Sequence, residues 1–269
     1  MTKSFTQRKI NLENEYVSAD FICLSFPKCG RTWLRYVLGH YFHLAYGVND
    51  THRLNSTKRD KMQERKNKGC PLVSFTHDIH SFTSEIKDPE ISNFFNQSKF
   101  VFEKNYVRKP VIFLMRDPID ASISFYHMMK NQNKIFNGDI ERWFDDKIFG
   151  LESTLHWYKL CFDTYKKHKN KIVLHYEHLK QNNGWMNLVS FTCNTINNDD
   201  LNKSLEKRNF EKIKKKEMEE KNITDPNSND LFFRKAGSNY QNELPKNLQA
   251  RFDNDKQLKE IRQCVASMV

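Results

Sequence analysis

Apolar and polar positions fall into alternating blocks along this chain. Short runs rich in β-branched and aromatic residues, over 20–26, 71–76, 110–115 and 171–176, carry few charges and read as buried strands. Between and beside them lie longer stretches, 32–46, 119–130, 140–149 and 151–168, where apolar side chains recur at helical spacing. Strand then helix, repeated, predicts an α/β fold with a mostly parallel β-sheet flanked by helices on both faces. The chain has no Gly/Ser- or Pro-rich linker and no internal repeat, so its 269 residues read as a single domain over 1–269, long enough to bury a substantial core. In such sheets ligands sit beyond the carboxyl ends of the strands, where Lys28, His77, Arg116 and Tyr176 all emerge.

The first strand stops at Pro27-Lys28-Cys29-Gly30 and a helix follows at once. That is the build of a P-loop-like phosphate-binding loop. Backbone N–H groups at a helix start lack internal partners and carry partial positive charge, so an anion docks there, and Lys28 and Arg31 add full charges. Gly30 lets the backbone turn tightly and approach the anion. This is not the nucleoside-triphosphate loop, whose Lys follows the second Gly and precedes a magnesium-binding Ser or Thr. Here Lys28 comes before the loop's glycine. Cys29, beside a helix N-terminus, would have a lowered thiol pKa and be oxidisable.

The second informative stretch runs from Val111 to His127. A buried strand ends at Arg116, and Asp117-Pro118 starts a helix with Pro near its first turn. Ser124 lies about two helical turns on, so it joins Arg116 around one phosphate only if the chain reverses after the strand.

Composition narrows the field. Six cysteines show no Cys-x-x-Cys pairing and no zinc-type spacing, so reduced thiols, no disulfide and no metal are expected. The N-terminus lacks an apolar signal core, and a mean hydropathy of −0.79 with no long apolar run predicts a soluble, cytoplasmic protein without membrane attachment. The formal net charge of +11 suits a polyanionic ligand, a nucleic acid or an acidic membrane face. Around 203–221, however, Lys residues interleave with Glu206, Glu211, Glu217, Glu219 and Glu220, the pattern of an exposed salt-bridged helix rather than of a stripe reading a phosphate backbone. No nucleic-acid partner is therefore expected.

The loop Pro27-Lys28-Cys29-Gly30-Arg31-Thr32-Trp33 closely resembles the Pro-Lys-Ser-Gly-Thr-Thr-Trp loop of the cytosolic-type sulfotransferases, enzymes that take sulfuryl groups from 3′-phosphoadenosine 5′-phosphosulfate (PAPS) and release adenosine 3′,5′-bisphosphate (PAP). Arg116 and Ser124 occupy the two phosphate-binding positions of the family's 3′-phosphate motif, and Arg234-Lys235-Ala236 resembles its late Arg-Lys-Gly segment, with Ala236 where Gly is usual. Three such motifs fall in the family's order. The resemblance implies that Lys28, Cys29, Gly30, Arg31 and Thr32 bind the phosphosulfate end. It also implies that Trp33 stacks on adenine, that Tyr176 hydrogen-bonds the base, and that Phe210 offers the opposite stacking face. Phe210 reads equally well as ordinary core. With no apolar run of anchor length, a soluble protein unlike the family's membrane-bound Golgi branch is expected, and the C-terminal dimer motif is not present in 257–269, which leaves oligomeric state open.

Sulfuryl transfer needs a base for the attacking hydroxyl or amine and a cation for the departing bridging oxygen. Thr76-His77 resembles the family's Lys-Thr-His, whose His is that base, and Lys28 would meet the leaving-group charge. Phe75 stands where the family has Lys, so a second cation near the transferred group is expected to be missing. His80, three residues on, is a rival base, and a polar His capping a strand is the plainer reading of either. The loops expected to line the acceptor pocket, over 47–68, 78–98 and 131–139, are polar and rich in Lys and Asn; they argue for a small polar alcohol, phenol or nitrogenous metabolite over a bulky steroid. A nucleotide kinase-like phosphotransferase is the alternative built on a similar sheet, but it needs magnesium ligands and a Gly-Lys-Ser/Thr ending. A basic anion-binding protein would explain the charge and not the ordered motifs.

Overall fold

The computed structural model describes residues 18–49, 54, 59–77, 109–226, 228, 230–233 and 243–269. The strands β1 (Phe21–Ser25), β2 (Val73–Thr76), β3 (Val111–Met115) and β4 (Lys171–His175) form a parallel sheet in the order β2-β1-β3-β4. Every residue of β2 and β3 is buried, as a sheet covered on both faces demands. Leu24 lies opposite Thr76 on one side and Phe113 on the other, so the carboxyl ends of three strands finish level. The chain leaves β1 toward β2 and leaves β3 toward β4. Connections therefore diverge at the β1–β3 pair, and that divergence opens a crevice above it.

Helix α1 (Arg31–Tyr46) begins directly after Gly30 and ends at Gly47, whose N–H caps the His43 carbonyl from a left-handed conformation. After α2 (Arg59–Asn67) and β3, helix α3 (Pro118–His127) starts abruptly, because the Asp117 side chain accepts from the Ile119 and Asp120 N–H groups and Pro118 needs no partner for an N–H. It runs on into a π-helical turn, Met128–Gln132, so the helical pattern over 119–130 is realised in two geometries.

Helix α4 (Ile140–Asp145) stops four residues short of the expected 149. Asp146 Oδ1 accepts from the Ile148 and Phe149 N–H groups and turns the chain toward α5 (Leu151–Lys167). Tyr176 opens α6 (Tyr176–Lys180) instead of closing β4. Beyond α7 (Trp185–Thr192), the charged stretch expected as one helix is two, α8 (Asn198–Lys207) and α9 (Phe210–Lys221). Asn209 breaks it by accepting from the Glu211 and Lys212 N–H groups, a capping arrangement that outcompetes continuation. Its salt bridges do form, Lys216 to Glu220 and Lys221 to Glu217 among them. Helices α10 (Lys246–Asn254) and α11 (Lys256–Ser267) close the chain. Trp143, Trp157 and Trp185 are fully enclosed in the core, and all six cysteines are free thiols, five of them buried. No described helix is long and apolar enough to cross a membrane.

Candidate active site

The loop between β1 and α1 adopts a conformation that its sequence makes possible. Gly30 sits at φ 94° immediately before the helix, and a Cβ there would lie 2.6 Å from Cδ2 of Tyr176. Both the backbone angle and the close ring therefore require glycine. Lys28 also takes a left-handed angle, φ 66°, uncommon for a residue with a Cβ, so two left-handed residues within three positions curl the loop tightly. Its side chain rests on the segment after α9: Nζ donates to the Phe232 carbonyl at 3.3 Å and lies 3.5 Å from the centre of the Phe232 ring. That segment is itself held by Glu217, whose two carboxylate oxygens accept from the Phe232 and Phe233 N–H groups at 2.7 and 2.9 Å.

Across the crevice, Arg116 leaves the end of β3 almost wholly buried. Its Nη1 donates to the Lys28 carbonyl at 2.9 Å and its guanidinium lies 4.5 Å from the Tyr176 ring centre. The β1 loop, the end of β3 and the start of α6 are thus tied by one side chain. The reversal at Asp117 brings Ser124 on α3 back to the same space, where it lines, with Lys28, Gly30, Arg31, Thr32 and Arg116, a cavity of about 280 Å³.

His77 closes the cavity on the β2 side. Its Nδ1 is 2.6 Å from the Ser25 carbonyl and 3.4 Å from Ser25 Oγ. A carbonyl only accepts, so Nδ1 carries the proton and Nε2 keeps the lone pair. Trp157 Nε1 donates to the His77 carbonyl at 2.9 Å, which fixes the backbone as well. Burial, reinforced by the Arg31 guanidinium, holds the imidazole pKa well below its ordinary value, so the ring is neutral at pH 7.

The aromatic side of the cavity differs from the simplest expectation. Trp33 is buried, its Nε1 donates to the Arg208 carbonyl at 2.8 Å, and it packs edge-on against Trp185 and Tyr176. Phe210 also lines the cavity, but its ring meets Trp33 at 89° with centroids 6.5 Å apart. The two rings offer the cavity perpendicular surfaces, not two faces of a parallel sandwich.

Cys29 is a plain correction. Its thiol is fully buried, 3.6 Å from the Tyr158 hydroxyl, and burial pushes its pKa up to about 12. Desolvation outweighs the helix N-terminus, so this is an inert structural thiol and not an oxidisable one. Arg234, Lys235, Ala236 and the rival base His80 lie outside the described residues, as does the whole of the acceptor loop over 78–98.

The structure adds residues that the motifs did not single out. Arg35, Met128, Phe232 and Phe233 also line the cavity. Arg35 was within reach of sequence reasoning, since it follows Arg31 by four positions on one helix face. Its Nε donates to the Leu54 carbonyl at 2.8 Å and its guanidinium lies 5.2 Å from the Phe75 ring centre, so a cation stands close to the position where Phe75 replaces one. Among the described residues no group of three or more His, Cys, Asp or Glu side chains could hold a metal ion.

A family profile described as "Sulfotransferase domain" matches residues 18–264. Sulfotransferase 2A1 of Homo sapiens is 27% identical over 224 residues, covering 80% of this chain and 74% of that protein. Sulfotransferase 6B1 of Danio rerio is 25% identical over 173 residues, covering 61% of this chain and 52% of that one. Among solved structures, mouse sulfotransferase SULT7A1 complexed with PAP superposes with a TM-score of 0.56 at 17% identity, covering 91% of this chain and 89% of that chain. Retinol dehydratase in complex with androsterone and inactive cofactor PAP gives 0.54 at 16% identity, covering 98% and 85%. At such identities the two structures speak to the fold.

Proposed function

We infer the chemistry of this cavity from one premise, that the chain belongs to the sulfotransferase domain family. It is a PAPS-dependent sulfotransferase, and the observation that carries the reading is the Arg116 to Lys28 hydrogen bond, which joins two phosphate-type motifs 88 residues apart in a cavity that also contains His77. The cavity suits a bisphosphorylated nucleotide: a glycine-initiated helix N-terminus and a curled loop face it from one side, a buried arginine and a serine hydroxyl from the other.

When bound, PAPS supplies the sulfuryl group and leaves as PAP. Arg116 and Ser124 would hold the 3′-phosphate, with Arg234, Lys235 and Ala236 assigned to it by the family resemblance, and the loop 28–32 would hold the phosphosulfate. Trp33, Phe210 and Tyr176 surround the adenine. His77 Nε2 takes the proton from the acceptor hydroxyl as its oxygen bonds to sulfur, and the ring's neutrality makes it competent for that step. Bound PAPS would supply the leaving group, its bridging oxygen keeping the electron pair of the bond to sulfur as PAP. Lys28 leaves the Phe232 carbonyl to meet that charge. No metal takes part in this scheme. We read the acceptor as a small molecule, the unit as one domain, and the setting as cytoplasmic.

The test is transfer of labelled sulfuryl from PAPS to a panel of hydroxyl and amine acceptors in the presence of EDTA. Labelled product supports the reading. Turnover that requires magnesium and ATP instead would hand the site to the phosphotransferase alternative.

A further inference from the structure

We propose that Arg35 and Arg31 form an anion-binding site on the acceptor side of this cavity, so that the hydroxyl compound sulfated here carries a carboxylate or phosphate group of its own. The proposal rests on the sulfotransferase reading and names the substrate class of that same site.

The sheet sets Arg116 at the end of β3, the loop after β1 and His77 at the end of β2 side by side, and on the sulfotransferase reading these take the 3′-phosphate, the phosphosulfate and the acceptor in turn. Two contacts that position Arg35 belong to the acceptor side. One is the Phe75 ring on β2, two residues before His77, and the other is the Leu54 carbonyl, on the segment between α1 and β2. In return the Leu54 N–H donates to the Arg35 carbonyl at 2.9 Å, so chain and side chain are clamped together.

Helix geometry brings Arg31 into the same place. Residues four apart on α1 lie about 5–6 Å apart at Cβ, on one face, so both guanidinium groups can reach one anion. Long helical side chains lean toward the N-terminus, which carries Arg35 toward Arg31, and both line the cavity together with His77. The positive field of Arg31 is already felt at His77, where it helps depress the imidazole pKa.

Chemistry favours an anion on the acceptor over a second grip on the transferred sulfuryl group. A guanidinium is a planar fork that matches a carboxylate or phosphate in two hydrogen bonds, and Arg35 is held in place by its Leu54 hydrogen bond and its contact with the Phe75 ring, which suits a fixed ligand group. A mobile point charge such as Lys suits charge that migrates during reaction, and Lys28 already fills that role. The substitution at Phe75 thus moves the second cation from strand to helix and changes what it binds.

The experiment compares a phenol carboxylate with its methyl ester as acceptors, measured as kcat/KM with PAPS, in the wild type, Arg35→Gln and Arg35→Lys. PAP affinity is followed by calorimetry in each. The wild type should prefer the acid by at least about tenfold, as a charge-assisted bidentate pair would give. Arg35→Gln should bring the two acceptors within about threefold by raising KM for the acid alone, with PAP affinity unchanged, and Arg35→Lys should recover part of the preference. Equal use of acid and ester by the wild type overturns the proposal. So does an Arg35→Gln variant that loses activity on both to the same extent, which would place Arg35 on the sulfuryl group or in the fold. No turnover of any acceptor together with no PAP binding overturns the sulfotransferase reading and, with it, this inference.

Discussion

The two walls of the cavity are built in different ways. The wall at β1 and β3 is made by backbone: a glycine with a left-handed angle, a helix start, an abrupt reversal capped by Asp117, and a buried arginine that bonds a main-chain carbonyl. The wall at β2 is made by side chains placed one at a time, with His77 fixed through Ser25 and Arg35 fixed through Leu54 and Phe75. Backbone geometry admits few residue types at each position, and side-chain geometry admits many. One wall can therefore keep a constant ligand while the other varies its partner.

The sharpest way to break this comparison is to remove chemistry from each wall separately. His77→Ala should lower kcat by about two orders of magnitude or more and leave PAP affinity intact, because proton transfer belongs to the acceptor wall. Lys28→Ala should cost a similar factor, since the cation acts in the transition state. A His77 variant that loses PAP binding in calorimetry would merge the two walls into one.

Gly30→Ala tests the backbone wall alone. The left-handed angle costs about 1–2 kcal/mol for any residue with a Cβ, and the new methyl must also displace the Tyr176 ring. PAP affinity should fall by tens of fold with the thermal midpoint lowered. Unchanged affinity would show that the loop tolerates another shape.

These outcomes bear on what the sequence made legible. Pro27, Gly30, Arg116 and Asp117-Pro118 could be read because turns, caps and helix starts restrict residue choice, and the parallel sheet followed from repeated strand and helix patterns, though its strand order did not. Perpendicular Trp33 and Phe210 could not be read, because ring angles depend on packing from Trp185 and Arg208, far away in the chain. The Cys29 thiol misled for a related reason. Proximity to a helix start is visible in sequence, and the burial that outweighs it is not. Helix spacing could have paired Arg35 with Arg31, but its place beside Phe75, forty positions on, is visible only in the fold.

A smaller effect should reach the backbone wall from a distance. Arg262 on α11 grips Asp117, with Nε 2.7 Å from Oδ2, and so braces the cap that reverses the chain after Arg116. Arg262→Ala should cost about 1 kcal/mol or less of stability, lower the midpoint by a few degrees, and weaken PAP by only a few fold. Loss of His77-dependent turnover at saturating PAPS would contradict a purely cofactor-side role.

The smallest effect concerns pH. Because the His77 pKa is lowered, its imidazole remains neutral as pH falls through its ordinary titration range, so activity should hold nearly constant between about pH 7.5 and 6.5 and decline only below. The same depression means that protonation opposes the folded form: the unfolded chain takes up the proton first as pH drops below about 6.5, and stability falls there. An acid limb of kcat/KM centred above 6.5 would remove His77 from the role of base.

The central claim is that the crevice between β1 and β3 recognises a nucleotide by its 3′-phosphate. Calorimetric titration of adenosine 3′,5′-bisphosphate against adenosine 5′-monophosphate, in the wild type and in Arg116→Ala, tests it most directly. The account predicts that the bisphosphate binds about a hundredfold or more tighter to the wild type, and that Arg116→Ala removes most of that advantage while barely changing the monophosphate. Equal affinity of the two nucleotides for the wild type would contradict it.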